Sequence, residues 1–294
     1  ALSVIARGVG LSLVPSLAQA GFGGLTAGGL LVSLATLGCN LRCASVMITS
    51  ATYPGDCAMS VLAADTTKTS SDANSAEAVE RALRVQLAAA YRLVEYFGWS
   101  ELIYGHLTVR IPGEPATFLI NPYGLSYDEI TASNLVRIDV DGNVVGPSQY
   151  PVSRAGFVIH SAVHMARGVN KCVMHTHTRS GMAISALECG LQQVHMYSTG
   201  YYQRVAYHDY EGPSLDTDER TRLLADLGDH SAMILRNHGL MTVGRTVPEA
   251  FIRLYRLERA AQVQLDAMSA GKVRVLEQSV AAASAEGIDA FLEL

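Results

Sequence analysis

His175 and His177 stand two residues apart at the end of a short apolar run, Cys172-Val173-Met174. Successive side chains of a β-strand point to opposite faces, so residues two apart share a face. Two imidazoles side by side on one face are a natural start to a metal site. A third histidine, His238, follows the apolar run Ala232 to Leu235 and precedes Gly239. Two strand-borne histidines with a third on a tight turn predict a His₃ site with an open coordination position. That is the catalytic rather than the closed structural pattern. The competing reading is three packed, hydrogen-bonded core histidines.

The surrounding chain must supply elements that aim these rings. A helix is expected from about Ala76, capped by Asn74 or Ser75, with Glu77 and Glu80 in its first turn. Val79, Leu83, Leu87, Ala90, Tyr91, Val94 and Phe97 recur at three-to-four spacing, and Gly98 stops the helix. Leu107 to Ile111 and Phe118 to Ile120 read as strands, and Asn121-Pro122-Tyr123-Gly124 as a turn. Thr131 is expected to cap a short helix. Leu135 to Val140 and Val144-Val145 flank Asp141-Gly142, a hairpin signal. A helix is expected over Arg154 to Arg167, then the strand with His175 and His177, then a helix from Arg179 to Cys189 ending at Gly190. Val194 to Tyr197 and Arg204 to Tyr207 read as strands, and Asp216 with Glu219 starts a helix that ends at Leu227-Gly228. Ser231 to Arg236 and Leu240 to Val243 are strands on either side of Asn237-His238-Gly239. There a positive φ at Gly239 is expected to aim His238. Thr246 and Glu249 form a capping box around Pro248 for a last helix running to about Met268. Strands and helices interleave, but two close hairpins imply antiparallel pairs. The expected fold class is α/β, a three-layer α/β/α domain with a central mixed, largely antiparallel sheet.

Composition narrows the function classes. The chain has 294 residues, 49% hydrophobic and 17% charged, enough for one large domain with ample core. A formal net charge of −5 and the lack of any Lys/Arg run give no electrostatic case for nucleic-acid binding. Five cysteines without a close C-x-x-C pair do not make a disulfide framework, so a reducing, cytoplasmic setting is the default. Residues 1–74 differ from the rest, with no charged side chain from Gly8 to Leu41. Three readings compete for them: a secretory signal ending at Ala18-Gln19-Ala20, an organellar transit segment, and a non-native or poorly ordered extension. Residues 75–275 form the main domain, and 276–294 an Ala-rich C-terminal extension.

Four motifs then fall in one order: Gly105-His106-Leu107-Thr108-Val109-Arg110, Asn121-Pro122-Tyr123-Gly124, His175-Thr176-His177 and Asn237-His238-Gly239. With them, residues 76 to 275 resemble the class II aldolase/adducin family. Gly98 to Tyr104, Ala155-Gly156-Phe157 and Val205 to Tyr210 look most like the adducin head domain. The resemblance implies a homo-oligomer, often a tetramer, and a divalent metal, usually zinc with manganese as second candidate, on His175, His177 and His238. It implies an acid/base carboxylate nineteen residues before the first metal histidine, where this chain has Gly156. His160, one helical turn further on, is an alternative base, a fourth ligand or a core histidine, and His164 reads as structural. The resemblance also implies that His106, Thr108, Tyr123, Gly124, Ser153 and Arg154 are the positions that bind an anionic substrate group. Arg154 can clamp a phosphate or a carboxylate bidentately. Tyr197, from a neighbouring subunit, matches the proton-donating tyrosine, with Tyr201, Tyr202 and Tyr207 as competitors.

Two functions follow as expectations. The first is a divalent-metal-dependent lyase, performing aldol cleavage or decarboxylation on a small hydroxy-carbonyl or hydroxy-acid compound. The second is a non-catalytic, adducin-head-like oligomerisation module with a vestigial metal site. Actin or cytoskeletal partners belong only to that second reading.

Overall fold

The computed structural model describes residues 72–292, except 114, 167, 169–170 and 213–216. Residues 1–71, and with them most of the expected N-terminal extension, lie outside the described residues. The first helix, α1 (Asp72–Tyr96), begins four residues earlier than Ala76, since nothing in that stretch breaks a helix. It ends where Gly98 takes φ 68° and donates to the Glu95 carbonyl.

Seven strands follow: β1 (His106–Ile111), β2 (Thr117–Ile120), β3 (Val136–Asp139), β4 (Cys172–Thr176), β5 (Val205–His208), β6 (Ala232–Leu235) and β7 (Gly239–Gly244). They form one sheet in the order β3-β2-β1-β4-β7-β6-β5. Every neighbouring pair is antiparallel except β5 with β6. The helices between them are α2 (Arg154–Met165), α3 (Arg179–Ser185), the single turn α4 (Met196–Thr199), α5 (Glu219–Leu227), α6 (Val247–Ala270) and α7 (Gln278–Leu292). Helices α1, α3 and α6 pack together, with α1 against β1 and α3 and α6 against β7. Helices α2 and α5 pack together, α2 against β1 and α5 against β5. The expected three-layer α/β/α fold with a mixed sheet is the one observed. Among the described residues no helix is long and apolar enough to cross a membrane.

Register puts the chemistry on one face. His106 pairs with His175 and Thr108 with Val173, so these four side chains look the same way, toward α2. On that face α2 contributes Ile159, Ala162 and Val163 to a core shared with Val173, Met233, Met241 and Val243. A second cluster joins Phe157 and Val158 of α2 to Phe118, Ile120, Val136 and Ile138. The alternation of strand residues and the three-to-four spacing on α2 therefore meet on one buried surface.

Four local expectations are corrected. Val194 to Tyr197 is not a strand. The Ser198 hydroxyl accepts from the N–H groups of Val194 and His195, and His195 Nδ1 accepts from Tyr197 N–H. These side-chain bonds turn the backbone into α4, overriding the strand preference of the run. The short helix lies at Tyr127–Glu129, ahead of Thr131, because Glu129 reaches back to the N–H and hydroxyl of Ser126. Helix α3 stops at Ser185 rather than Cys189, since the Ser185 carbonyl accepts from Asn237 N–H. At the turn before β7 the positive φ, 55°, belongs to Asn237 and not to Gly239. Gly239 is needed for another reason: a Cβ there would stand 2.5 Å from the Thr176 carbonyl oxygen. Past residue 275, Leu276 N–H donates to the Gln193 carbonyl, and α7 docks on α4 with Ala281 and Ala285 buried.

Tyr91 of α1 ties the helix layer to the sheet. Its hydroxyl accepts from Leu107 N–H at 2.8 Å and lies 2.7 Å from the Leu107 carbonyl and 3.0 Å from Asn121 Oδ1. The ring is fully buried. Replacing it by phenylalanine leaves those buried groups short of a partner. Tyr91→Phe should therefore cost about 1–3 kcal/mol, read as a lower urea midpoint with an unchanged slope.

Candidate metal centre

His175 sits in β4, and His177 one residue past its end. His238 lies in the turn between β6 and β7, where its N–H donates to the Leu235 carbonyl and to Ser185 Oγ. The turn is thus pinned to the last residue of α3. His175 Nδ1–H donates to the Leu240 carbonyl at 2.9 Å, so its Nε2 carries the lone pair. His175 Nε2 lies 2.7 Å from His177 Nε2, which lies 2.9 Å from His238 Nε2. One ring nitrogen from each residue falls within 4.8 Å of the others.

This donor set fits a divalent cation. A single proton on His177 Nε2 can satisfy only one of its two contacts, whereas a cation at the meeting point satisfies all three nitrogens. Burial pushes protonation of His175 well below the usual imidazole range and that of His238 down to about 4. Burial also lowers His177, against a smaller opposing pull from Glu101. Neutral imidazoles are the ligand form. The Leu240 carbonyl behind His175 supplies the outer-shell bond that fixes ring orientation.

The three rings open on a cleft of about 460 Å³. Its walls include His106, Tyr123, Ser153, Gly156 and His160. Among the described residues, no Asp or Glu lines it. His160 is fully buried. Its Nδ1 is 2.8 Å from Thr108 Oγ1, and its Nε2 has no partner among the described residues. Thr108 is also fully buried, its hydroxyl held between His160 and His164 Nε2, 2.7 Å away. Thr108 therefore supports the histidines from behind and does not line the cleft. Ser153 caps α2 by accepting from Gly156 N–H, and Tyr123 N–H ties its own loop to the Pro151 carbonyl. Gly124, in the exposed turn at φ 95°, is not in the lining. Arg154 opens α2, and its side chain lies outside the described residues. Tyr197, half-buried in α4, does not line this cleft.

Among the wall residues that sequence reasoning missed are Tyr104, Met182 and Tyr210. Tyr210 stands edge-on to His238 with ring centroids 5.9 Å apart. Tyr104 and Tyr210 lie in loops beside strand ends, where no periodicity marks a side chain as facing a site. Their positions inside the adducin-like stretches were the one available signal.

The buried imidazoles make a pH prediction. Burial lowers His106 and His238 to about 4, His164 to about 3, and His160 well below the usual value. The unfolded chain takes up these protons near pH 6.5, so it binds more protons than the folded chain below that pH. Stability of the metal-free protein should be full above about pH 7 and fall steadily from about pH 6.5 toward 4. Melting temperatures measured across that range check it; a flat profile would contradict the burial described here.

Comparison with known proteins agrees with this geometry. Residues 85–265 match the family described as Class II Aldolase and Adducin N-terminal domain. Rat alpha-adducin is 45% identical over 189 residues, which is 63% of this chain and 26% of that protein. The chain thus spans about a quarter of adducin. The crystal structure of an aldolase II superfamily protein from Pseudomonas syringae superposes with a TM-score of 0.70 at 48% identity, covering 74% of this chain and 89% of that one. L-fuculose 1-phosphate aldolase from Glaciozyma antarctica superposes with a TM-score of 0.66 at 34% identity, covering 75% and 86%. With the fold, the histidine trio and more than half of the chain in agreement, this protein belongs to the class II aldolase and adducin N-terminal domain family.

Proposed function

We propose that this chain is a divalent-metal-dependent carbon–carbon lyase acting on a small hydroxy-carbonyl or hydroxy-acid compound with an anionic end. The observation that carries the reading is the convergence of three neutral imidazole nitrogens, from His175, His177 and His238, on the wall of an open cleft. When bound there, zinc or manganese would polarise substrate oxygens and stabilise the charge that develops as the bond breaks. Aldol cleavage and decarboxylation share that demand.

The chain's own groups divide the remaining work. Tyr123 and Ser153 of the cleft wall, with Arg154 and Gly124 next to them in the chain, receive the anionic end of the substrate. His160, in the wall of the cleft with a buried, unpartnered Nε2, serves as a proton-transfer group or a fourth ligand. His106 adds a second imidazole, with Thr108 holding the histidine network from behind. Tyr197 does not reach its own cleft, so the reading assigns it to a neighbouring copy in a homotetramer, as proton donor to the oxygen of the accepting carbonyl in the bond-forming direction.

A second reading has two observations in its favour. The cleft lacks a carboxylate at Gly156, and the chain is similar to alpha-adducin. On that reading it is an assembly module with a vestigial metal site.

Elemental analysis of the purified chain separates the two. About one zinc or manganese per chain is expected, lost in His177→Ala without unfolding. Less than about one metal per three chains after reconstitution would sink the lyase reading. A screen of aldol and decarboxylation substrates, with L-fuculose 1-phosphate among them, then identifies the chemistry.

A further inference from the structure

Gly156 faces a ring. A Cβ built on it would stand 2.1 Å from His106 Cδ2 and 2.3 Å from His106 Nε2. Real Cβ atoms essentially never approach so closely, so the imidazole of His106 occupies the place that a side chain at 156 would need. The ring is held there from both sides of its chemistry. Its backbone belongs to β1, in register with His175. Its Nδ1 is 2.8 Å from Asn121 Oδ1, an acceptor only, so Nδ1 carries the hydrogen. Asn121 is buried and is itself contacted by the Tyr91 hydroxyl. The remaining nitrogen, Nε2, therefore carries a lone pair, lies over Gly156 and borders the cleft.

We propose that His106 is the proton-transfer residue of this cleft, and that position 156 is glycine because His106 fills its place. The proposal rests on the lyase reading above. In the bond-forming direction, a C–H bond next to the substrate carbonyl breaks. Its proton passes to His106 Nε2, and its electron pair stays on the substrate as an enolate. In the bond-breaking direction the same proton returns from Nε2 to that carbon as the carbon–carbon bond opens. Atoms and charge balance without an outside reactant. His160 is the weaker claimant for this role. It is part of the wall but fully buried, its free Nε2 included, with Nδ1 committed to Thr108, and its ring centroid is 6.2 Å from that of His106.

Two measurements on the full chain test the proposal. The first needs no activity. Gly156→Ala should lower the melting temperature by several degrees in the native background and by much less in His106→Gly; equal losses in both would show that the two residues do not share one place. The second follows solvent deuterium entering dihydroxyacetone phosphate beside its carbonyl, in zinc-loaded protein. His106→Gln should slow exchange about 100-fold or more, with zinc content unchanged and probe binding altered less than about 3-fold. His106→Gly combined with Gly156→Glu should regain at least about 10-fold over His106→Gly alone. Exchange in His106→Gln within about 3-fold of the native rate, loss of zinc from it, or a folded double variant that recovers nothing overturns the role of His106. A native protein that binds zinc and exchanges no deuterium, or that binds no zinc, overturns the lyase reading and this role together. The native control thus separates the two failures.

Discussion

The hydrogen bond from His175 Nδ1 to the Leu240 carbonyl joins the sheet to the chemistry. It crosses the pair β4 and β7, and it decides which nitrogen of His175 faces the cleft. It exists because the two strands approach closely at their ends, and they can do so only with glycine at 239, where any Cβ would strike the Thr176 carbonyl. The same approach brings His177 and His238 within reach of each other. One close backbone contact thus aims three rings.

Behind the metal centre the polar groups form short buried chains. Tyr91 contacts Asn121, and Asn121 holds His106. Thr108 holds His160 and His164, and His164 stacks on Phe118 at 4.5 Å. In so apolar a setting a charged imidazole is expensive and an unpartnered one is costly, so nearly every ring has one nitrogen anchored. The free nitrogens are then the informative ones. His106 lines the cleft with its Nε2 free, whereas His160 Nε2 is buried in the wall and His164 Nδ1 is sealed away, both without a partner among the described residues. On the other side of the sheet Glu258 of α6, also buried, accepts from Thr178 and Ser180 and steadies the turn that follows His177. Helix α6 therefore contributes to the site without entering it.

Much of the fold was legible in the sequence because it rests on periodicity. Short apolar runs marked β1, β4 and β7, three-to-four spacing marked α1, and a capping box marked α6. Caps and glycines marked most of the ends. The misreadings fall where side chains bond the local backbone. Ser198 and His195 bend a β-prone run into α4, and Glu129 draws the short helix back to Tyr127. Such bonds depend on one or two residues and leave no repeating pattern. The glycine at 239 was read as a conformational need and proved to be a packing need, a distinction no linear sequence can make.

By itself the sequence determined the histidine trio, the strand and turn that carry it, the layered architecture and the absence of a side chain at 156. Those properties are local: they follow from residue type, spacing and face. Only the tertiary structure decided that Thr108 lies behind the cleft, that Tyr104 and Tyr210 line it, and that Tyr197 does not. It alone showed what stands over Gly156. His106 and Gly156 are fifty residues apart in the chain. Their contact is set by the packing of α2 across β1, which no spacing rule connects.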